Sequence, residues 1–117
     1  MYIVNAREFD AAEVESHGAE GVTIQWLLDE DAGAPNFAMR RFTLEPGGHT
    51  PSHEHPWEHE VYVLSGRGEV VLAGETVPCA ADHAILVAPG EQHQFVNTGD
   101  GPLVFLCLVP NGPGTEH

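Results

Sequence analysis

Short runs in which apolar and polar residues alternate follow one another along this chain, and they are rich in Val, Ile, Leu, Phe and Thr. Such runs predict strands rather than helices. They cover residues 2–9 (YIVNAREF), 22–28 (VTIQWLL), 37–44 (FAMRRFTL), 59–65 (HEVYVLS), 68–73 (GEVVLA), 83–89 (HAILVAP), 93–98 (HQFVNT) and 103–110 (LVFLCLVP). Gly, Pro, Asn or Asp bound each run. Gly66–Gly68 and Ala73–Glu75 are predicted hairpin turns, and Pro46–Gly48 and Asn97–Pro102 predicted loops. Only Asp10–His17 has room for a helical turn or two. Eight or more short strands in one domain predict an all-β sandwich or barrel. The tail Asn111–His117 is expected to fray.

Strand side chains alternate between two faces. In the segment HEHPWEHEVYVL, the odd positions are His53, His55, Trp57, His59, Val61 and Val63, and the even ones are Glu54, Pro56, Glu58, Glu60, Tyr62 and Leu64. Every histidine is therefore on the face of the two valines, and every glutamate on the other. This places the histidines inside and the glutamates outside, provided the alternation survives Pro56. Several imidazoles facing one interior are hard to satisfy without a shared partner. A divalent metal is that partner's natural identity.

Composition narrows the alternatives. The 117 residues suit one domain, and thirteen glycines and nine prolines suit a turn-rich one. The net charge is −14, with no lysine and only Arg7, Arg40, Arg41 and Arg67 positive. Nucleic acid and anionic membrane surfaces need clustered cations, so neither is an expected partner. Schiff-base chemistry has no lysine to use. The apolar runs are too short for a membrane helix, which needs about 20 residues, and no secretory signal is visible. A cytoplasmic protein with reduced Cys79 and Cys107 is expected.

The spacing Gly47–x5–His53–x–His55–x3–His59–x6–Gly66 resembles the first signature of the cupin superfamily, with His59 where glutamate is usual. Gly90–x2–His93–x3–Asn97 resembles the second half of the second signature. Its first half departs, with Asp82 in place of glycine and Ala88 in place of proline. The resemblance runs from about Gly33 to Pro110, and GAPNFAMRRFTLEPGG and FLCLVP are similar to small single-domain cupins with a four-histidine centre. It implies a double-stranded β-helix, the jelly-roll barrel, with residues 1–21 as an N-terminal strand or arm, 22–110 as the barrel core and 111–117 as a flexible tail. The ligands it implies are His53, His55, His59 and His93. Small cupins of this kind pair, so a homodimer is expected, in which YIVNAREF adds to the partner's sheet or closes its own barrel edge.

Four neutral nitrogens would leave a divalent ion its full charge, and an octahedral ion two open positions. One transition metal per chain is expected, with Mn or Fe suiting that geometry and Zn, Ni and Cu also accepting imidazole. A metal-dependent oxygenase or oxidase acting on a small organic substrate is the leading expectation. A non-catalytic metal or small-ligand binding module, and a metal-assisted isomerase or lyase, are the alternatives. Cys107 is the one further catalytic candidate: it lines the cavity beside the metal or is a packing cysteine, and Phe105 shares its face. Trp57 caps the barrel mouth or is a half-exposed aromatic. Arg40 and Arg41 point opposite ways, and the inward one pairs with an acid or with a substrate carboxylate. His49 belongs at the rim, His83 is no ligand, and His17 and His117 are exposed. Glu60 is the replacement ligand should His59 not serve.

Overall fold

The computed structural model describes residues 1–112. Among them nine strands form one curled antiparallel sheet: β1 (Ala12–Glu13), β2 (Glu20–Leu28), β3 (Phe37–His49), β4 (His59–Ser65), β5 (Arg67–Leu72), β6 (Glu75–Ala80), β7 (Ala84–Val87), β8 (His93–Asn97) and β9 (Leu103–Pro110). Neighbours run β6–β5–β8–β3–β9–β4–β7, and β2 adds to β3 with β1 beyond it. This is the jelly-roll barrel, with the expected all-β class. No helix among the described residues is long and apolar enough to cross a membrane.

The long strand β3 organises the barrel. Its residues Phe37–Leu44 pair with β9 on one side, Met39–Leu44 pair with β2 on the other, and His49 pairs with Val96 of β8. The expected loop at Pro46–Gly48 is instead a bend inside β3, accompanied by a register shift against β2. A side chain at Gly48 would come 2.8 Å from the Gly21 carbonyl oxygen, so the bend can be this tight only with glycine there.

Alternation fills the interior. His59, Val61 and Val63 of β4 are buried while Glu60, Tyr62 and Leu64 are exposed. On β9, where both faces are apolar, Leu103, Phe105, Cys107 and Val109 are all nearly inaccessible. Phe105 stacks on Phe42 at 5.3 Å and meets Phe95 at 4.8 Å, an aromatic wedge at the centre of the core.

Four local expectations are corrected. Residues 2–9 form no strand within the chain; they hold a 3₁₀ turn at Ala6–Glu8, whose amide Arg7 N–H is accepted by the Asn5 side chain. Asp10–His17 is not helical, and its Ala12–Glu13 pairs with Ile24 and Thr23. Gly66–Gly68 is not a hairpin turn, because β4 pairs with β7 and β9 whereas β5 pairs with β6 and β8. The chain turns a corner there between two parts of the sheet. Strand β6 was not expected, since Pro78 interrupts its pattern; it lies at the sheet edge, where a missing N–H is tolerated. The expected frayed tail lies beyond Gly112 and, with His117, outside the described residues.

Gly66 makes the corner testable. Its φ is +86°, and a Cβ there would collide with the Pro102 carbonyl oxygen. Gly66→Ala is expected to cost about 3 kcal/mol of stability, read as a fall in the urea midpoint.

Candidate metal centre

Backbone pairing brings two histidines from distant segments side by side. His53 N–H donates to the His93 carbonyl at 3.1 Å, and His93 N–H returns the bond at 2.9 Å. Residues paired in this way project to the same face. The His55 carbonyl accepts from Gly90 N–H at 2.7 Å, which ties the loop before β8 to the same segment. One ligand atom each from His53, His55 and His93 lie within 4.8 Å of one another. Among the described residues, this trio is the tight cluster.

His59 stands beside it on β4. Its ring centroid is 4.8 Å from that of His93 and 5.2 Å from that of His55. The His59 Nδ1 faces the Cys107 sulfur at 3.3 Å and Arg40 Nη2 at 3.4 Å. The alternation assumed across Pro56 holds: His53, His55 and Trp57 are half-buried, His59 is buried, and Glu54, Glu58 and Glu60 are exposed. Glu60 is therefore on the far side of the sheet from the cluster. Trp57 stacks flat on His55, centroids 4.5 Å apart and planes 7° apart.

The imidazoles are held in their neutral form. Burial, with the positive charges of neighbouring imidazoles and Arg40 adding to it, lowers the pKa of His55 to about 4 and that of His59 to about 3. Burial also lowers His53 and, against a carbonyl that favours the charged form, His93. His93 Nδ1 lies 2.9 Å from the Glu91 carbonyl oxygen. A carbonyl only accepts, so Nδ1 carries the proton and Nε2 keeps its lone pair. Neutral, converging imidazoles, with His93 oriented by the Glu91 carbonyl, are the kind of donor set that suits a divalent transition metal.

Beyond the cluster is a cavity with a free volume of about 50 Å³, room for a few waters. Phe42, Phe95 and Phe105 wall it, and Arg40, Cys107 and Thr50 supply polar groups. Cys107 lines the cavity and is at the same time packed in the apolar core. Of the two arginines, Arg40 is the inward one, 1% exposed. Its expected acidic partner is absent among the described residues. Arg40 instead donates to Cys107 Sγ at 2.9 Å and sits over the rings of Trp26 and Phe42, 5.3 and 5.0 Å from their centroids. Burial lowers the Arg40 pKa and raises that of Cys107, each opposed by the other's proximity. Arg41 faces the other way and donates to Gln25. His49 is half-buried near Glu20, and His83 is an exposed acceptor for Ala80 N–H. Sequence reasoning missed Phe42 and the N-terminal Val14 and Ser16, which also line the cavity. Phe42 was within reach, being two residues from Arg40 on one strand; Val14 and Ser16 carry no such signal.

A barrel with histidines gathered at one end of an aromatic-lined interior defines a class of protein. Residues 40–109 match the family described as Cupin domain, and the chain belongs to the cupin superfamily. It is similar to the polyketide synthase protein CurC of Streptomyces cyaneus, 36% identical over 96 residues, which cover 80% of this chain and 62% of that protein. The chain spans about half to two thirds of the length of the first curated relatives it matches. Among solved structures it is similar to the polyketide cyclase RemF from Streptomyces resistomycificus, with a TM-score of 0.89 and 37% identity, covering 94% of this chain and 79% of that one. A predicted oxalate decarboxylase from Thermotoga maritima has a TM-score of 0.83 and 29% identity, covering 93% and 98%.

The lowered pKa values set the acid response of the metal-free protein. Unfolded imidazoles titrate near 6.5, so between that value and about 4 for His55, or about 3 for His59, the unfolded chain binds more protons. Their contribution is complete above about pH 6.5 and is lost as pH falls through the folded values. Urea midpoints of metal-free protein should therefore drop below pH 6.5, and His59→Gln should flatten that drop.

Proposed function

We propose that this cupin is a metal-dependent enzyme acting on a small carbonyl-rich substrate of the poly-β-ketone kind, with cyclase-type chemistry. The observation that carries the reading is the convergence of His53, His55 and His93 within 4.8 Å at an aromatic-walled cavity. The likeness to a polyketide cyclase and to a polyketide synthase protein supports the substrate class.

His53, His55 and His93 would hold one divalent transition metal per chain, with His59 Nε2 as the fourth donor. Mn or Fe is the favoured ion, and Zn, Ni and Cu would be accepted by the same imidazoles. When bound, the ion supplies Lewis acidity toward a carbonyl or enolate oxygen. The chain's own residues do the rest. The Glu91 carbonyl fixes the His93 tautomer. Cys107 Sγ can accept from His59 Nδ1–H, which selects the tautomer that keeps the lone pair on Nε2. Phe42, Phe95 and Phe105 keep water from the reacting end of the substrate, since the cavity admits that end and not a whole polycyclic molecule.

The oxygenase reading is favoured by one observation, a donor set without a carboxylate, which keeps the ion's charge whole. The two readings separate in one assay. Poly-β-ketone thioesters given to metal-loaded protein should yield products lighter by water, without dioxygen uptake. Stoichiometric dioxygen consumption would establish the oxygenase instead, and binding without turnover a non-catalytic module.

Elemental analysis should find about one transition metal per chain. His55→Ala and His93→Ala should lose most of it, and Glu54→Ala none. Cys107→Ala should weaken metal affinity by about tenfold, the usual effect of removing a group that orients a ligand.

A further inference from the structure

Among the described residues, the cavity wall contains one formally charged side chain, Arg40, and no carboxylate. Arg40 is 1% exposed. Its Nη2 donates to Cys107 Sγ and approaches His59 Nδ1, and its charge lies against the faces of Trp26 and Phe42. Its Nε is buried and has no hydrogen-bond acceptor among the described residues. A buried cation with an unmet donor is costly, and replacing it with an apolar residue would be the cheaper way to fill a core. Its neighbours supply polarisable sulfur and π faces but no full negative charge.

The surroundings are consistent in sign. The neutral imidazoles add no negative charge, and a divalent metal held by them would add two more positive units. The exterior carries the acids, which face away: Glu54, Glu58 and Glu60 are all exposed. The interior is thus suited to receive an anion, and none of the described residues supplies one there.

We infer that Arg40 is the anion-recognising group of this cavity, selecting ligands that present a negatively charged oxygen, the enolate of a 1,3-dicarbonyl or a carboxylate. The inference rests on the proposed function for its metal-side contact and adds the charge of the substrate and the residue that reads it. A guanidinium is suited to this task because its planar fork binds two oxygens, or one oxygen while other N–H groups stay engaged. The enolate form of a poly-β-ketone is the species a cyclisation consumes, so the same contact would hold the substrate in its reactive state.

The test is calorimetric titration with acetylacetone as its enolate and, separately, with malonate. Both go into wild type, Arg40→Met and Arg40→Lys, metal content and melting temperature being recorded for every sample. Imidazole serves as a neutral ligand of the same metal. Arg40→Met should weaken both anions by about 10- to 100-fold, the worth of a charge-assisted hydrogen bond, and leave imidazole affinity nearly unchanged. Arg40→Lys should restore part of the anion affinity as a point charge. A tighter acetylacetonate complex marks the enolate as the natural chemistry, and a tighter malonate complex the carboxylate. Equal anion affinity in wild type and folded Arg40→Met at equal metal content would overturn the inference. If Arg40→Met fails to fold, Arg40→Gln takes its place, with the same two outcomes. If wild type takes up no metal, the proposed metal centre fails, and Arg40 is judged on metal-free protein. There the anions must still bind wild type and not the variant, or the inference fails as well.

Discussion

Strand β3 is shared by three neighbours, and the barrel closes around it. Its first part is hydrogen-bonded to β9 and β2, and its last residue to β8. Each pairing fixes which side chains face each other. On one side Arg40 lies opposite Cys107, which lies opposite Val61 across β9 and β4. At the other end His49 lies opposite Val96, which puts Phe95 and His93 on the inner face. Without the bend at Pro46–Gly48 the same strand could not serve both parts of the sheet, and β8 could not bring His93 to His53.

The interior that results has an uncommon electrostatic character for so acidic a chain. The net charge of −14 is spread over the outside, while the inside holds imidazoles and one guanidinium. Alternation separates the two: one face of residues 53–60 carries the histidines, the other the glutamates. Burial then keeps the imidazoles neutral, so their lone pairs are available at ordinary pH. The imidazole cluster and the inward guanidinium thereby meet in the same cavity, with Cys107 touching both His59 and Arg40.

The relatives and the geometry agree on family and fold and leave the reaction to the site. Aromatic walls and a small free volume suit the reactive end of an unsaturated or carbonyl-rich molecule. Among the described residues, the inner face presents no carboxylate of the kind a base-dependent isomerase would use. These features set the proposed chemistry apart from fold likeness alone.

The sequence by itself determined which faces would be inside wherever polar and apolar residues alternate. His53, His55, His59, Val61 and Val63 could be placed on one face because side-chain direction along a strand has a period of two, a local property. The spacing of glycines and histidines carried the family for a related reason: Gly66 has a left-handed φ and no room for a side chain, a demand that any chain turning this corner must meet. The tertiary structure alone decided the rest. Nothing in LVFLCLVP orients Cys107, since both faces are apolar, and nothing in MRRF chooses Arg40 over Arg41; the pairing of β9 between β3 and β4 does both. Residues 66–68 read as a hairpin because turn chemistry is local, whereas the pairing partners of β4 and β5 are set by strands far away in sequence. The fourth histidine belongs to the same category: spacing names His59, but which atoms its ring faces depends on Arg40 and Cys107, 19 and 48 residues away.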